Sequence, residues 1–302
     1  MKKLKDSFHT YAFATCIFWS MGYVLTRMTS AYLPSIQIGL IRTVIAAITL
    51  LVVVLVTKLP WPKGKDIKWF ILSGLTGMFL YMLCFNMGCV KVTTATGNVM
   101  LAMSPVLTAI GSRILFKEKL STLQWSSIVI CFVGVVVLTV VGGGFSVNIG
   151  LMWLMLAVLL LSIYNLIQKY LSRNYPSLGI TAFSFIVGGI GYTLCIPVVF
   201  DSVPVLPVKA YILLLLLGVG CSGVGYCLWT KAFSKAANAS SVSNYMFLNP
   251  FIGALFGAIL IGDPVEKSAI FGGTIIMIGL FLFNFGPSLL AKYGKSKLKN
   301  AQ

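Results

Sequence analysis

Long apolar stretches, separated by short polar and basic links, follow one another from end to end of the sequence. About 20 consecutive apolar residues suffice for a helix to cross the hydrocarbon core of a bilayer. A window of that length predicts ten spans, at residues 8–29, 35–57, 67–89, 95–116, 121–142, 148–170, 178–200, 209–230, 239–261 and 267–289. The pattern predicts an all-α membrane protein whose links have no room for a separate soluble domain.

Composition agrees with a surface that mostly faces lipid. Hydrophobic residues make up 58% of the 302 residues, charged residues only 10%, and the mean hydropathy is +0.97, whereas soluble domains carry about 25% charged residues. The net charge of +17 could suggest a nucleic-acid binder, but the lysines and arginines lie in short clusters between apolar runs. The sequence therefore predicts the lipid bilayer as a partner and excludes nucleic acid.

The basic residues predict the orientation, because cytoplasmic links carry the positive excess. With the amino terminus inside, eighteen lysines and arginines fall in inside segments and four fall outside: Arg27, Lys91, Lys209 and Lys267. We expect ten spans in a bacterial inner membrane, with both termini cytoplasmic.

The first apolar stretch offers no small-residue cleavage site, so we interpret it as a retained helix and not as a signal peptide.

The seven cysteines stand singly within apolar runs, without a CxxC pair and in an odd number. They are typical of reduced packing residues, not of a disulfide or zinc framework. We expect no metal and no cofactor.

An internal repeat relates the two halves. The stretch MSPVLTAIGSRILFKEKL at 103–120 aligns with LNPFIGALFGAILIGDPV after a shift of 145 residues, which pairs Pro105 with Pro250, Glu118 with Asp263 and Gly134 with Gly279. Shifts of 144 and 142 pair Gly74 with Gly218 and Ser20 with Ser162. Each half has five predicted spans, and an odd number inverts the second copy. The sequence predicts two inverted five-helix repeats, as in many transporters.

Several features of both halves together resemble one family. They are the WS pair of the first span, Arg42 early in the second, the GCVK and AFSK steps, the central SP and NP, and the acids that close the fourth and ninth spans. The chain resembles the drug/metabolite transporter superfamily and, within it, the ten-helix EamA-type transporters. The resemblance covers the whole chain, with one repeat at 1–144 and the other at 145–302.

The resemblance implies a basket of helices around a central cavity, with the fifth and tenth spans at the periphery. It also implies export of small metabolites, often amino acids. The sequence leaves a homodimer open.

Each candidate residue has a structural alternative. Pro105 and Pro250 each remove a backbone hydrogen bond, so we expect a kink at the middle of the membrane at each position. Each kink is either a flexible point that faces the substrate or a static bend. Arg42 is the one basic residue deep in a span, so it is a candidate for a substrate carboxylate, although a structural arginine would have the same position. For the helix-end acids Glu118 and Asp263 we expect a structural role. Lys91 and Lys235 are expected to snorkel to the interface.

Polar and aromatic residues within the spans mark the expected cavity, because unpaired polar groups are costly in hydrocarbon. Hydrogen bonding between helices is the alternative for any one of them. The substrate-binding candidates are Trp19, Ser20, Tyr23, Arg42, Tyr81, Phe85, Asn98, Ser104, Tyr164, Asn165, Gln168, Tyr226, Trp229, Asn244, Tyr245 and Asn249.

The six carboxylates all lie outside the middle of the predicted spans, and the sole histidine, His9, lies at the amino end. Cation exporters and proton antiporters usually place such groups inside the membrane. A neutral, zwitterionic or anionic metabolite is therefore the expected substrate, moved by alternating access. Two rivals remain: a passive channel, and an intramembrane serine protease suggested by GCSG at 220–223, which would need a histidine beside Ser222. We expect a transporter and not an enzyme.

Overall fold

The computed structural model describes residues 7–89, 91, 94–140, 149–199, 205–262 and 267–299, and these residues contain helices and no strands. The α-helices are α1 (Phe8–Thr29), α2 (Ser35–Thr57), α3 (Ile67–Ser73), α4 (Tyr81–Cys89), α5 (Thr94–Leu101), α6 (Met103–Phe116), α7 (Thr122–Val140), α8 (Ile149–Leu171), α9 (Ser177–Val199), α10 (Val208–Leu215), α11 (Gly225–Lys235), α12 (Ala239–Ser243), α13 (Leu248–Ile261) and α14 (Lys267–Lys299).

Eight helical stretches within the described residues are long and apolar enough to cross a membrane. They are Ile36–Thr57, Gly64–Gly88, Val99–Phe116, Ile149–Leu171, Ser177–Leu194, Val208–Lys235, Ala239–Ile261 and Ile270–Pro287. A shorter apolar helix covers Thr122–Val137, and α1 is a 22-residue helix with several Thr, Ser and Tyr residues that lower its hydropathy. The prediction of an all-helical membrane protein is confirmed.

Three predicted spans differ from the helices that form. The span at 95–116 is divided at Ala102 into α5 and α6, and the span at 239–261 is divided by a 3-10 segment, Asn244–Phe247. The last helix does not end near 289 but continues through Pro287 to Lys299. Hydropathy measures how far an apolar stretch extends, whereas a helix continues into polar sequence as long as its backbone hydrogen bonds are made.

Two long helices contain π-helical segments at their midpoints. Gly74–Leu80 joins α3 to α4, and Leu216–Val224 joins α10 to α11. A methyl group built on Gly74 would lie 2.7 Å from the carbonyl oxygen of Ser184, and one built on Gly218 would lie 3.2 Å from that of Arg42. Only glycine allows so close an approach, so both segments pack directly on a neighbouring backbone.

The long helices and the two π-helical segments each pack against particular neighbours. Helix α1 packs against α11 and α13, while α8 packs against α4 and α6. Helix α2 packs against α9, and α7 packs along α14. The segment Gly74–Leu80 contacts α9, and Leu216–Val224 contacts α2. The helices of the two halves are therefore interleaved, and a central site is built from both.

The contact between α7 and α14 depends on two glycines. A methyl group on Gly134 would lie 2.9 Å from the carbonyl oxygen of Gly272 and 2.9 Å from the amide nitrogen of Ile276. A methyl group on Gly279 would lie 3.0 Å from the amide nitrogen of Cys131 and 3.1 Å from the carbonyl oxygen of Ser127. Small residues at such interfaces let helix backbones approach within the membrane.

We expect Gly279→Ala to lower the melting temperature of the purified protein. The added methyl group meets backbone atoms that cannot rotate away, and overpacking of this kind costs about 1–3 kcal/mol. The control is Gly253→Ala, because a methyl group there meets no atom within 4 Å. Equal melting temperatures for the two variants would show that α7 and α14 do not depend on this close contact.

Candidate functional site

Five aromatic side chains meet where α1, α8, α9 and α11 come together, and we call them the aromatic cluster. Tyr226 lies at its centre, with ring centroids 4.9 Å from Trp19 and 6.0 Å from Tyr164. Its ring is also 5.3 Å from Phe185, and Trp19 is 5.0 Å from Trp229. Aromatic rings in these tilted and edge-on arrangements pack favourably and have few rotamers, so the cluster is a stiff surface.

Asn165, which is fully buried, connects the aromatic cluster to α6. The indole nitrogen of Trp229 donates a hydrogen bond to Asn165 Oδ1 at 3.0 Å, and Asn165 Nδ2 donates to Thr108 Oγ1 at 3.4 Å. Its Nδ2 also lies 3.9 Å from the sulfur of Met246. An amide this deep in the molecule needs such partners, since an unsatisfied buried donor costs about 1–3 kcal/mol.

Gln168, one helical turn beyond Asn165, is the centre of a second buried network. Its Nε2 donates to Ser73 Oγ at 2.8 Å, and its Oε1 accepts from Thr230 Oγ1 at 2.8 Å. Ser73 is bonded in turn to Ser184 at 2.7 Å, and Thr230 to Thr181 at 2.8 Å. The network joins α3, α8, α9 and α11 through side chains that are all buried.

Arg42 lies on α2, beside the π-helical segment that precedes α11. Its Nε donates to Ser222 Oγ at 2.9 Å, and one terminal nitrogen is 3.8 Å from a methyl group built on Gly22. Its partner Ser222 precedes Tyr226 of the aromatic cluster by four residues. Arg42 is partly buried, so a charged group is held next to the aromatic cluster with donors beyond the one that Ser222 accepts.

Several buried polar atoms near this region have no hydrogen-bond partner among the described residues. They are Trp19 Nε1, Asn86 Nδ2, both side-chain polar atoms of Asn244, and Asn249 Oδ1. Asn244 is 0% exposed. Buried polar groups are nearly always satisfied by protein or by ordered water, so these atoms can accept or donate a hydrogen bond to water or to another polar group.

Two serines join the broken helices to their neighbours in the same manner. Ser20 Oγ on α1 donates to the backbone oxygen of Asn249 at 3.3 Å, and Ser162 Oγ on α8 donates to that of Ser104 at 3.2 Å. The Ser104 hydroxyl is itself 3.3 Å from that of Ser162. Pairing of these carbonyls with neighbouring helices is what membrane burial requires.

Glu118 follows the end of α6 and binds the start of α12. Its carboxylate accepts from the amide of Ala239 at 2.6 Å and from the hydroxyl of Ser240 at 2.9 Å. The Ser240 hydroxyl also contacts Ser112 Oγ at 2.9 Å. A carboxylate stabilises a helix amino terminus, where amides are unsatisfied and the helix dipole is positive.

Lys169, in the last turn of α8, binds the carboxyl end of α11, which precedes the start of α12. Its ammonium donates to the backbone oxygens of Phe233, at 3.1 Å, and Ala236, at the end of α11. Lys169 is 8% exposed and is attracted electrostatically by Glu118. We call Glu118, Lys169 and the backbone groups they bind the helix-end clamp, because it holds the link between α11 and α12 from both sides.

The remaining predicted site residues have other contacts. Tyr23 is 50% exposed on α1, and Tyr81 stacks on Phe85 with ring centroids 5.8 Å apart. Tyr245 Oη is 2.6 Å from His9 Nδ1, near the start of α1. Asn98 lies on α5.

Each proline stands at the third position of a helix that follows a break. Pro105 lies in the first turn of α6 after Ala102, and Pro250 lies in the first turn of α13 after the 3-10 segment. A proline is well tolerated there, because the first turn of a helix has no internal partner for its amides. Asp263 lies outside the described residues.

Sequence reasoning missed several residues of these networks. Lys169 is not among the predicted site residues, although it follows directly after Gln168 on an apolar helix. Ser73, Thr181, Ser184 and Thr230 gave no signal, since single hydroxyls are common in membrane helices and usually bond to their own backbone.

The arrangement does not fit a serine protease. Ser222 Oγ accepts a hydrogen bond from Arg42, whereas His9, the only histidine in the sequence, is bonded to Tyr245. No histidine is therefore placed to take a proton from Ser222. The described residues form apolar helices long enough to cross a membrane, with buried polar networks and a partly buried arginine between them, as is compatible with a membrane transporter.

The model of the EamA-like transporter family matches residues 7–140 and again residues 148–285. The chain belongs to the EamA-like transporter family, which confirms the resemblance seen in the sequence, and it is a transporter and not an enzyme.

Two curated relatives are of nearly the same length as this chain. The chain is 22% identical over 276 residues to a probable terminal-alkyne amino-acid exporter of Streptantibioticus cattleyicolor, covering 88% of this chain and 92% of that protein. It is 24% identical over 270 residues to an uncharacterized transporter of Archaeoglobus fulgidus, covering 89% and 95%. A solved crystal structure has a TM-score of 0.80 at 17% identity, covering 93% of this chain and 97% of that chain, and shows the same fold.

Proposed function

We propose that this protein is a secondary transporter that exports small neutral, zwitterionic or anionic metabolites, such as amino acids, by alternating access. The observation that carries the proposal is Arg42, a partly buried guanidinium that lies next to the aromatic cluster. Its remaining donors suit the carboxylate of a small metabolite, while the unsatisfied atoms of Trp19, Asn244 and Asn249 suit other polar groups.

The placement of acidic groups supports the same substrate class. Of the six carboxylates, the described ones, Asp66 and Glu118, lie at helix ends and are already bonded to Tyr175 and to Ala239 with Ser240. Neither is placed to bind a cation beside Arg42. One relative is a probable amino-acid exporter by name, and this suggests amino acids within the wider class.

We further propose ten spans arranged as two inverted repeats, residues 1–144 and 145–302. Contacts in the two halves are equivalent under the shifts found in the sequence. Gly74 packs on Ser184 as Gly218 packs on Arg42, and Ser162 bonds to Ser104 as Ser20 bonds to Asn249. The two family matches, at 7–140 and 148–285, also divide the chain near residue 144.

The helix ends add a further equivalence. Lys117 ends α6 and Gly262 ends α13 in the left-handed conformation, with φ of 55° and 74°, and the amides of both bond to the carbonyl five residues earlier.

We propose that both termini are cytoplasmic in a bacterial inner membrane, as the basic residues predict. The helix-end clamp then lies at the cytoplasmic side.

The packing supports a structure that is closed toward the cytoplasm. Asn165 and Gln168 are fully buried, whereas the residue equivalent to Asn165 under the 142-residue shift is Tyr23, which is 50% exposed. Alternating access then requires the networks of Asn165, Gln168 and the helix-end clamp to open while contacts form around Tyr23. These networks are discrete hydrogen-bonded sets, as expected for an element with two arrangements.

A thermal-shift screen of the purified protein against amino acids, organic acids and nucleobases tests the substrate class. We expect an amino acid or organic acid to raise the melting temperature, because a ligand that binds only the folded state stabilises it by RT ln(1 + [L]/Kd). The matched comparison for each hit is its decarboxylated amine, which keeps the rest of the molecule but cannot bind Arg42 through a carboxylate.

Counterflow in liposomes then separates a carrier from a channel. An excess of unlabelled ligand inside the liposomes should drive transient accumulation of labelled ligand in a carrier. A passive pore would give no accumulation, and stronger stabilisation by the amine than by the acid would overturn the proposed substrate class.

A further inference from the structure

A groove of about 640 Å³ lies between α2, the start of α9 and the helix that runs from Leu216 through α11. Its size falls within the range of small-molecule sites, about 300–1,000 Å³. It is lined on one side by Leu50 and Val53 and on the other by Val219, Val224 and Leu228. The groove is separate from the aromatic cluster, and the proposed transport mechanism makes no use of it.

The groove faces lipid and is apolar over most of its length. Val219 and Val224 are 37% and 43% exposed. Gly223 lies in the floor, and a methyl group built there would meet only the carbonyl oxygen of Gly218, at 3.5 Å. The absence of a side chain at Gly223 therefore deepens the groove enough to hold a chain below the level of the surrounding helix surface.

One end of the groove is polar and carries a positive charge. Lys231 and Ser234 line this end together with Ser177, whose hydroxyl is 3.3 Å from that of Ser234. Tyr175 lines it as well and donates to Asp66 at 2.7 Å. The Tyr175 hydroxyl is neutral, and its hydrogen is already donated to the Asp66 carboxylate, so Lys231 is the group at this end that is left to bind an anion.

The length of the groove matches one leaflet. From Val219 to Lys231 the helix rises about 18 Å, at about 1.5 Å per residue, and half of the hydrocarbon core is about 15 Å thick. An acyl chain that lies along the apolar part from the membrane centre would therefore bring its head group to Lys231 and the two serines.

We propose that this groove is a binding site for one anionic phospholipid of the inner leaflet, with an acyl chain along Val219, Gly223 and Cys227 and its phosphate on Lys231. The leaflet assignment rests on the orientation in the proposed function. The positive charge at the head-group end selects an anionic over a zwitterionic lipid, because a basic residue at the membrane surface contributes about 1 kcal/mol toward anionic lipid.

Native mass spectrometry of the detergent-purified protein tests the site, with phosphatidylglycerol titrated against phosphatidylethanolamine. We expect Lys231→Gln to weaken phosphatidylglycerol binding about fivefold, the equivalent of about 1 kcal/mol. Phosphatidylethanolamine binding should weaken less, because the ammonium group of that lipid already offsets the charge of its phosphate. The matched control is Lys65→Gln, an exposed lysine outside the groove.

A second variant tests the apolar part. Cys227→Phe fills the groove and should weaken binding of both lipids, whereas Ile212→Phe, on an exposed part of α10, should not. If Cys227→Phe does not fold, as judged by gel filtration and melting temperature without lipid, Val224→Phe takes its place.

Equal binding by Lys231→Gln and Lys65→Gln, or by the groove-filling variant and Ile212→Phe, would overturn the proposal and leave only bulk lipid around the helices. Lipid retention is measured without substrate or transport. Failure of the lipid site and failure of the proposed transport function are thus separate results.

Discussion

Arg42→Ala should lower the affinity of the protein for a carboxylate ligand by about 10- to 100-fold. A hydrogen bond to a charged group contributes about 1.5–3 kcal/mol, and each 1.4 kcal/mol corresponds to a factor of ten. Because Arg42 Nε is already bonded to Ser222, its terminal nitrogens are the donors available to a ligand. Isothermal titration of the purified variant with the best stabilising acid measures the effect.

Two further variants separate binding from folding. Arg42→Lys keeps the charge but not the planar fork, so it should recover only part of the affinity. Arg113→Ala removes an exposed arginine at the end of α6 and should bind like the wild type. If Arg42→Ala binds the acid as tightly as Arg113→Ala while melting at a lower temperature, Arg42 is a structural partner of Ser222 and not a ligand-binding residue.

Lys169→Met should make the end of α11 open more readily. The change removes the charged donor to the backbone oxygens of Phe233 and Ala236 while it keeps much of the apolar length of the side chain. Loss of charge-assisted bonds worth about 1.5–3 kcal/mol corresponds to about a 10- to 100-fold larger open population. Hydrogen exchange of the amides in α11 and the last turn of α8, which reports local opening, measures this change.

The control is Lys119→Met, which removes an exposed lysine next to Glu118. We expect faster exchange only in Lys169→Met and only in the segments that the helix-end clamp holds. Exchange as slow as in the control would mean that the clamp does not limit opening of this end, and that the networks of Asn165 and Gln168 alone keep it closed.

Much of the helical architecture could be predicted from hydropathy. Phe8–Thr29 and Ser35–Thr57 have the bounds that the apolar stretches indicate, because in lipid a chain must satisfy its backbone within the helix. The break at Ala102 and the two π-helical segments could not be predicted in this way. The two π-helical segments contain Gly74 and Gly218, which pack on a neighbouring backbone, and an apolar window does not contain that information.

The site was predictable as a set of residue types but not as an arrangement. Trp19, Asn165, Tyr226 and Trp229 come together, whereas Tyr245, of similar character and on a similar span, pairs with His9. Helices such as α2 and α9 are apolar on every side, so their sequence gives little indication of which face turns inward. The rotation of each helix is set by its neighbours.

The π-helical segments have a consequence for how each long helix meets its surroundings. Each added residue rotates the following side chains by about 100° relative to a regular helix, so the two ends of such a helix present different sides. Both α3 and α4 pack against α8, whereas their second neighbours differ: α3 packs against α9, and α4, beyond Gly74–Leu80, packs against α2. One continuous helix thereby keeps α8 beside it along its whole length, while its second neighbour changes from α9 to α2 at the π-helical segment.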